Sequence, residues 1–106
     1  MARVVLTASA DSDTAYILAD LAAKAGASVA ARYAGDFDAV YRRLEQFPGS
    51  GSPRRAYGSL LCIGVVSPYT IYHEYSEAED VVTIMRIVHG HRRFTRRMLN
   101  RPTTRP

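Results

Sequence analysis

Cysteine and long apolar runs are scarce in this sequence, and each scarcity excludes a class of protein. The single cysteine, Cys62, can form neither an intrachain disulfide nor a multi-cysteine metal site. No apolar run approaches the roughly 18 residues of a membrane span, and Asp11 and Asp13 interrupt the short N-terminal apolar stretch before it could form a signal-peptide core. The sequence therefore predicts a cytoplasmic protein that does not associate with membranes.

Metal-ligand spacing and phosphate-binding loops are also missing. The pair His89 and His91 is too sparse to define a metal site, and no glycine-rich loop of the phosphate-binding kind occurs. We therefore expect neither a metal nor another cofactor. With 106 residues the chain has room for a single domain.

Basic charge is concentrated in the second half of the chain. Residues 1 to 53 carry 5 basic and 6 acidic side chains, whereas residues 54 to 106 carry 9 basic and 4 acidic ones. Lys24 is the one lysine among 14 cationic residues, and arginine suits planar, bidentate contacts with carboxylates and phosphates. After Gly90 the chain holds six arginines and no acid. Residues 93–106 are predicted to form a basic C-terminal extension, either a short helix or a loose tail, on a domain of residues 1–92.

Two amphipathic helices are predicted in the first half. A helix capped by Ser9, Asp11 or Asp13 should run to about Lys24 and end at Gly26. Its apolar face consists of Ile17, Leu18, Leu21, Ala22 and Ala25. A second helix, capped by Ser28 and ended by Pro48, has apolar residues every three or four positions, namely Val29, Tyr33, Phe37, Val40, Leu44 and Phe47. The short connection between the two helices predicts an antiparallel hairpin.

Strands are predicted on both sides of this hairpin. Arg3–Thr7 is rich in β-branched residues and has no helix signal. The loop from Gly49 to Pro53 is followed by three β-rich runs with short connections, Leu60–Val66, Tyr69–Tyr75 and Val81–Val88. The sequence thus predicts an α+β domain in which one face of a three-stranded antiparallel meander covers the helical hairpin.

The order of these elements resembles the RelE/ParE superfamily of toxins from type II toxin-antitoxin systems. Three stretches sharpen the resemblance, RRLEQFPGSGSPR, IGVVSPYTIYHEY and VVTIMRIVHGHR, and together they extend it over nearly the whole chain to Arg92. The resemblance implies a cognate antitoxin, ParD-like or related, that neutralises the toxin. It also implies that operator DNA is reached indirectly, through the antitoxin.

Members of the superfamily act in two ways: RelE-like toxins cleave messenger RNA on the ribosome, and ParE-like toxins inhibit DNA gyrase and arrest growth. RNA cleavage without a metal needs a base, an acid and a cation for the phosphate. RelE-like members draw on lysines and arginines of the sheet and on a C-terminal tyrosine. Here Lys24 belongs to the first helix, and the aromatic residue after the last strand is Phe94, which has no proton to exchange.

We therefore expect a ParE-like inhibitor of DNA gyrase and no catalytic residues. The alternative is an endoribonuclease that uses histidines as acid-base groups, because arginine does not lose its proton near neutral pH. Its catalytic candidates are His73, His89, His91 and Arg92.

Partner binding is expected where the last strand leaves the sheet. Arg86, His89, Gly90, His91 and Arg92 cluster in sequence there, and Arg54 and Arg55 could add a basic rim from the loop before the meander. In ParE-like members a basic residue commonly precedes the isoleucine of the IGVV strand, but here that position is Cys62. This departure gives a further alternative, an attenuated toxin that acts only as an antitoxin-binding corepressor.

Overall fold

Five strands and two helices form the fold in a computed structural model that describes residues 1–50, 52–54 and 61–90. In chain order they are β1 (Arg3–Leu6), α1 (Ala8–Ala25), α2 (Ala27–Gln46), β2 (Ser52–Arg54), β3 (Leu61–Val66), β4 (Tyr69–Ser76) and β5 (Val81–His89). The predicted α+β class and the order of a strand, two helices and a meander are confirmed. Arg55, His91, Arg92 and the predicted basic extension lie outside the described residues.

The strands form one sheet in the order β1-β5-β4-β3-β2. The predicted antiparallel meander of β3, β4 and β5 is confirmed, and β1 joins it in parallel beside β5. The short strand β2 was predicted as loop, which is wrong. Its sequence Ser52-Pro53-Arg54 has no apolar alternation, and it becomes a strand because it pairs with β3. It is itself the edge strand of the sheet, where a proline can be tolerated.

The helix boundaries differ from the prediction at both N-terminal ends. Thr7, not Ser9, Asp11 or Asp13, caps α1, and its hydroxyl accepts a hydrogen bond from the amide of Ala10 at 3.0 Å. Helix α2 begins immediately after Gly26 and has no side-chain cap, so the predicted role of Ser28 is wrong. Gly26 alone joins the two helices, with a φ of 100° that favours glycine.

Most of the predicted apolar stripes face the sheet, and the exceptions lie near the helix ends. Within the core, α2 buries Phe37, Val40 and Leu44, while α1 buries Ala10 and Ile17. Ala22 and Ala25 of α1 are exposed, because the last turn of the helix extends beyond the sheet contact. Phe47 follows the end of α2 and is 60% exposed.

Strand β4 contributes to both faces of the sheet. Tyr69 and Ile71 pack with the helices in the main core, and Tyr72 lies on the opposite face with Leu61 and Val88. Both tyrosines are buried, so they are packing residues and not exposed platforms for nucleotide bases. Neither described helix is long and apolar enough to cross a membrane.

Candidate functional site

A pocket lies between the first half of α1 and the end of β5. Its volume is about 290 Å³. Its lining consists of Asp13, Tyr16, Ile17, Asp20, Tyr69, Arg86, Ile87, Val88 and His89. Arg86 and His89 belong to the predicted partner-binding set, so this pocket is the place where the structure brings part of that set together.

The pocket exists because β1 is shorter than β5. The parallel pairing of the two strands ends at Leu6 and Ile84, so among the described strands none lies beside the edge of β5 from Met85 to His89 on that side. The start of α1 covers the first part of this edge. The backbone amide of Thr7 donates to the carbonyl of Ile84 at 3.1 Å, and its hydroxyl donates to the carbonyl of Met85 at 2.9 Å. The remaining edge, towards His89, forms the wall of the pocket.

Asp13 fixes the position of β5 in this wall. Its carboxylate accepts two hydrogen bonds from Arg86, from Nε at 2.7 Å and from an Nη at 3.0 Å, and a third from the backbone amide of Ile87 at 3.0 Å. The side chains of Arg86 and Asp13 are only 22% and 17% exposed. The hydrogen bonds to Asp13 raise the pKa of Arg86, so the guanidinium stays charged and its charge is compensated inside the protein.

The sequence alone did not reveal this ion pair. Asp13 was interpreted as a helix-capping residue, and Arg86 as a cation available to a partner. The two residues are 73 positions apart, and no local pattern connects residues at such a distance. The pair forms because β1 and α1 place the first turns of the helix against β5.

The end of β5 is held by contacts with the turn between β3 and β4. The amide of Gly90 donates to the carbonyl of Pro68, and the carbonyl of Gly90 accepts from the Thr70 hydroxyl at 2.7 Å. Gly90 has a φ of 73°, which glycine adopts without strain. The exposed ring of His89 packs edge-on against Tyr69, with a centroid distance of 5.5 Å. His89 is therefore presented on a fixed strand end.

Tyr16 and Asp20 complete the outer wall from α1. Tyr16 is 73% exposed, although it is an aromatic residue on a helix that packs on the sheet. Asp20 forms an ion pair with Lys24 at 3.2 Å, one turn further along the helix. Tyr16 is absent from the set of site residues predicted from the sequence. The signal available was its position outside the apolar face of the helix, where a large aromatic side chain is unusual.

His73 lies away from the pocket, in the core between β4 and α2. Its side chain is 1% exposed, and its ring lies close to Gly64 and Val40. Within the described residues, Nδ1 of His73 has no hydrogen-bond partner. Burial, and to a smaller extent the charge of Arg43, lowers the pKa of His73 to about 4. A ring that is buried and neutral cannot reach an RNA substrate or carry a proton for it.

The lowered pKa of His73 also ties stability to pH. In the unfolded chain this histidine takes up a proton near its usual pKa of about 6.5, whereas the folded protein resists protonation down to a pKa of about 4. Between these values the unfolded state binds more protons. The contribution of the neutral His73 to stability is therefore complete above about pH 6.5 and is lost as the pH falls towards 4.

Arg54, another predicted site residue, does not line this pocket. Arg54 belongs to β2, at the far edge of the sheet, with β3 and β4 between it and β5. Cys62 is buried, and burial raises the pKa of its thiol, which disfavours the reactive thiolate. Among the described residues, no group of three histidine, cysteine or acidic side chains is placed to hold a metal ion.

Comparisons with known proteins agree with this architecture. The sequence matches the family model described as "ParE toxin of type II toxin-antitoxin system, parDE" over residues 4–94. No curated protein matches the chain. A solved structure, of the chromosomal ParDE toxin-antitoxin system from P. aeruginosa, is similar in fold, with a TM-score of 0.70 and 19% sequence identity over 86% of this chain and 98% of that chain. Since the family model spans most of the sequence, this chain belongs to the ParE toxin family of type II toxin-antitoxin systems.

Proposed function

We propose that this ParE-family toxin inhibits DNA gyrase by binding it, without catalysis, and that a ParD-like antitoxin neutralises it. The observation that carries the proposal is the state of the candidate catalytic groups in the described residues. Of the ribonuclease candidates in the described residues, His73 is sealed in the core with a lowered pKa, whereas His89 is exposed at the pocket. Arg86 is the one arginine in the pocket lining, and its charge is compensated by Asp13, so His89 has no unpaired cation of that lining beside it to stabilise a phosphate. The side chains that line the pocket therefore suit recognition of a partner protein better than acid-base catalysis.

The surface around the pocket has the properties of a protein-binding site. Tyr16 is exposed, and His89 is fixed beside it by Tyr69 and by the contacts of Gly90. Aromatic residues that stand on rigid elements contribute large contact areas at a small cost in conformational entropy. We therefore assign the contact with gyrase to the end of β5 and the adjoining face of α1, continued by His91 and Arg92 in the sequence.

The test is to express the toxin without antitoxin and to follow plasmid supercoiling, DNA breaks and transcript integrity in one culture. Loss of supercoiling or broken DNA with intact messenger RNA is the expected result. Cleaved messenger RNA with undamaged DNA would assign the chain to the ribonuclease alternative. Undisturbed growth would instead assign it to the corepressor alternative suggested by Cys62.

An assay with purified toxin variants tests which surface of the toxin contacts gyrase. In a gyrase supercoiling assay, Tyr16→Ala, His89→Ala and Arg92→Ala should each raise the concentration of toxin required for half inhibition by about tenfold, as expected for loss of an interface anchor. Phe47→Ala is the matched control, because Phe47 is a similarly exposed aromatic residue distant from the pocket lining. Equal inhibition by all four variants would contradict the assignment of the surface.

A further inference from the structure

A second groove lies between α2 and the end of β3. Its volume is about 390 Å³. Its lining consists of Arg32, Tyr33, Asp36, Ala39, Val40, Arg43, Val65, Val66 and Ser67. It shares no lining residue with the pocket at β5.

One wall of the groove is an open strand edge. Strand β2 pairs with β3 only from Arg54–Leu61 to Ser52–Ile63, whereas β3 continues to Val66. Within the described residues, Gly64–Val66 therefore has a strand neighbour on the β4 side only. An open edge of this kind is a template for pairing with another extended chain.

Helix α2 forms the opposite wall of the groove, and its charged side chains favour an acidic partner chain. Arg32 and Arg43 are exposed, and in the described part of the protein neither forms an ion pair. Asp36 is the single acid in the lining. The guanidinium of Arg32 lies 5.7 Å from the centre of the Tyr33 ring, and the Tyr33 hydroxyl contacts the carbonyl of Ser67 at 3.5 Å. The groove lining thus carries a net positive charge, from two arginines that form no ion pair among the described residues and one aspartate, on a helix that is anchored to the sheet.

The two faces of β3 differ, so a strand that pairs with its edge should carry different kinds of side chain at alternate positions. Val66 packs in the core on the helix side, and Leu61 and Ile63 pack on the opposite face, so Val65 belongs to that opposite face as well. Val65 is 55% exposed, which is unusual for a valine in a strand. A strand added here would point alternate side chains towards the arginines and towards Val65.

We propose that an extended segment of the antitoxin, with acidic residues alternating with apolar ones, adds to the edge of β3 at Gly64–Val66 and pairs its carboxylates with Arg32 and Arg43. The inference rests on the proposed neutralisation by an antitoxin. The arginine-rich C-terminal sequence of the toxin itself has the wrong charge for this groove. A nucleic acid could contact the arginines, but it could not form backbone hydrogen bonds of the strand kind with β3. Two cations also neutralise too few phosphates for strong binding.

The experiment uses the complex of the full-length toxin with its cognate antitoxin. Amide hydrogen exchange is measured by NMR for the free toxin, refolded after separation, and for the complex. Strand addition should slow exchange within Gly64–Val66 by about tenfold or more, because edge amides become hydrogen-bonded. Antitoxin affinity should fall by about tenfold for Arg32→Glu and for Arg43→Glu, as for other charge pairs at interfaces.

Arg42→Glu is the matched control, because Arg42 is exposed on the same helix beside Arg43 but does not line the groove. It should change the affinity less than about twofold, as expected for a solvated surface charge. Tight antitoxin binding with unchanged exchange at Gly64–Val66 and equal effects of the three substitutions would overturn the docking site and leave neutralisation intact. Absence of antitoxin binding would reject neutralisation itself, and the docking site with it. Binding of a 20-nucleotide DNA strand that requires Arg32 and Arg43, without antitoxin protection of the edge, would also overturn the proposal.

Discussion

Replacing Asp13 by alanine tests how the helical hairpin and the last strand are held together. The substitution removes three hydrogen bonds, leaves the guanidinium of Arg86 without its counter-charge and leaves the amide of Ile87 without its acceptor. A hydrogen bond to a charged group contributes about 1.5–3 kcal/mol and an ordinary one about 1 kcal/mol, before screening is considered. Because both side chains retain some contact with water, we expect Asp13→Ala to lower the free energy of unfolding by about 2–3 kcal/mol.

Urea denaturation followed by circular dichroism measures this loss. For a domain of this size a loss of 2–3 kcal/mol corresponds to a midpoint lower by about 2 M urea. Asp20→Ala is the control, since it removes an ion pair of α1 that is exposed to solvent, and it should cost no more than about 0.5 kcal/mol. If Asp13→Ala lowered the free energy of unfolding no more than Asp20→Ala does, the Asp13 carboxylate would not be the group that fixes β5.

Three further predictions concern stability. Between about pH 7.5 and pH 5 the wild type should lose about 2 kcal/mol more than His73→Gln, from the lowered pKa of the buried ring, and parallel pH profiles in urea titrations would contradict this. Thr7→Val should cost about 1.5–2 kcal/mol, because it removes the helix cap and the donor to Met85, and an unchanged melting temperature would show that neither bond matters. Gly64→Ala should remain within about 0.5 kcal/mol of wild type, because the added methyl group meets only ordinary contacts at 3.8 Å, and a loss above about 1 kcal/mol would indicate a clash.

Much of the fold follows from local patterns in the sequence. The spacing of Phe37, Val40 and Leu44 predicted the buried face of α2, and the short Ser67-Pro68 connection predicted the hairpin of β3 and β4. These patterns are informative because helix and strand periods are set by the backbone within a few residues. The same locality explains the errors: Ser9 and Thr7 are both good caps, and the choice between them depends on where β1 ends.

Only part of the candidate site could be predicted from the sequence. The end of β5 stays a predicted binding surface, where Arg86 and His89 line one pocket, but Arg54 was expected near the same cleft and lies on the far edge of the sheet. The extra strand β2 decided this, and it forms only by pairing with β3. His73 was a candidate acid-base group because its residue type fits that chemistry, and its burial under α2 could not be inferred from its neighbours in sequence.

The sequence by itself determined the α+β class, the order of the elements and the two helix faces, because each depends on residues close together in the chain. The tertiary structure alone decided which charges are free. It compensates Arg86 with Asp13 and places His73 in a low-dielectric core, and among the described residues it leaves Arg32 and Arg43 without an ion pair beside an open strand edge. The charge state and accessibility of a side chain depend on groups that come within a few ångströms of it after folding, whatever their distance in sequence.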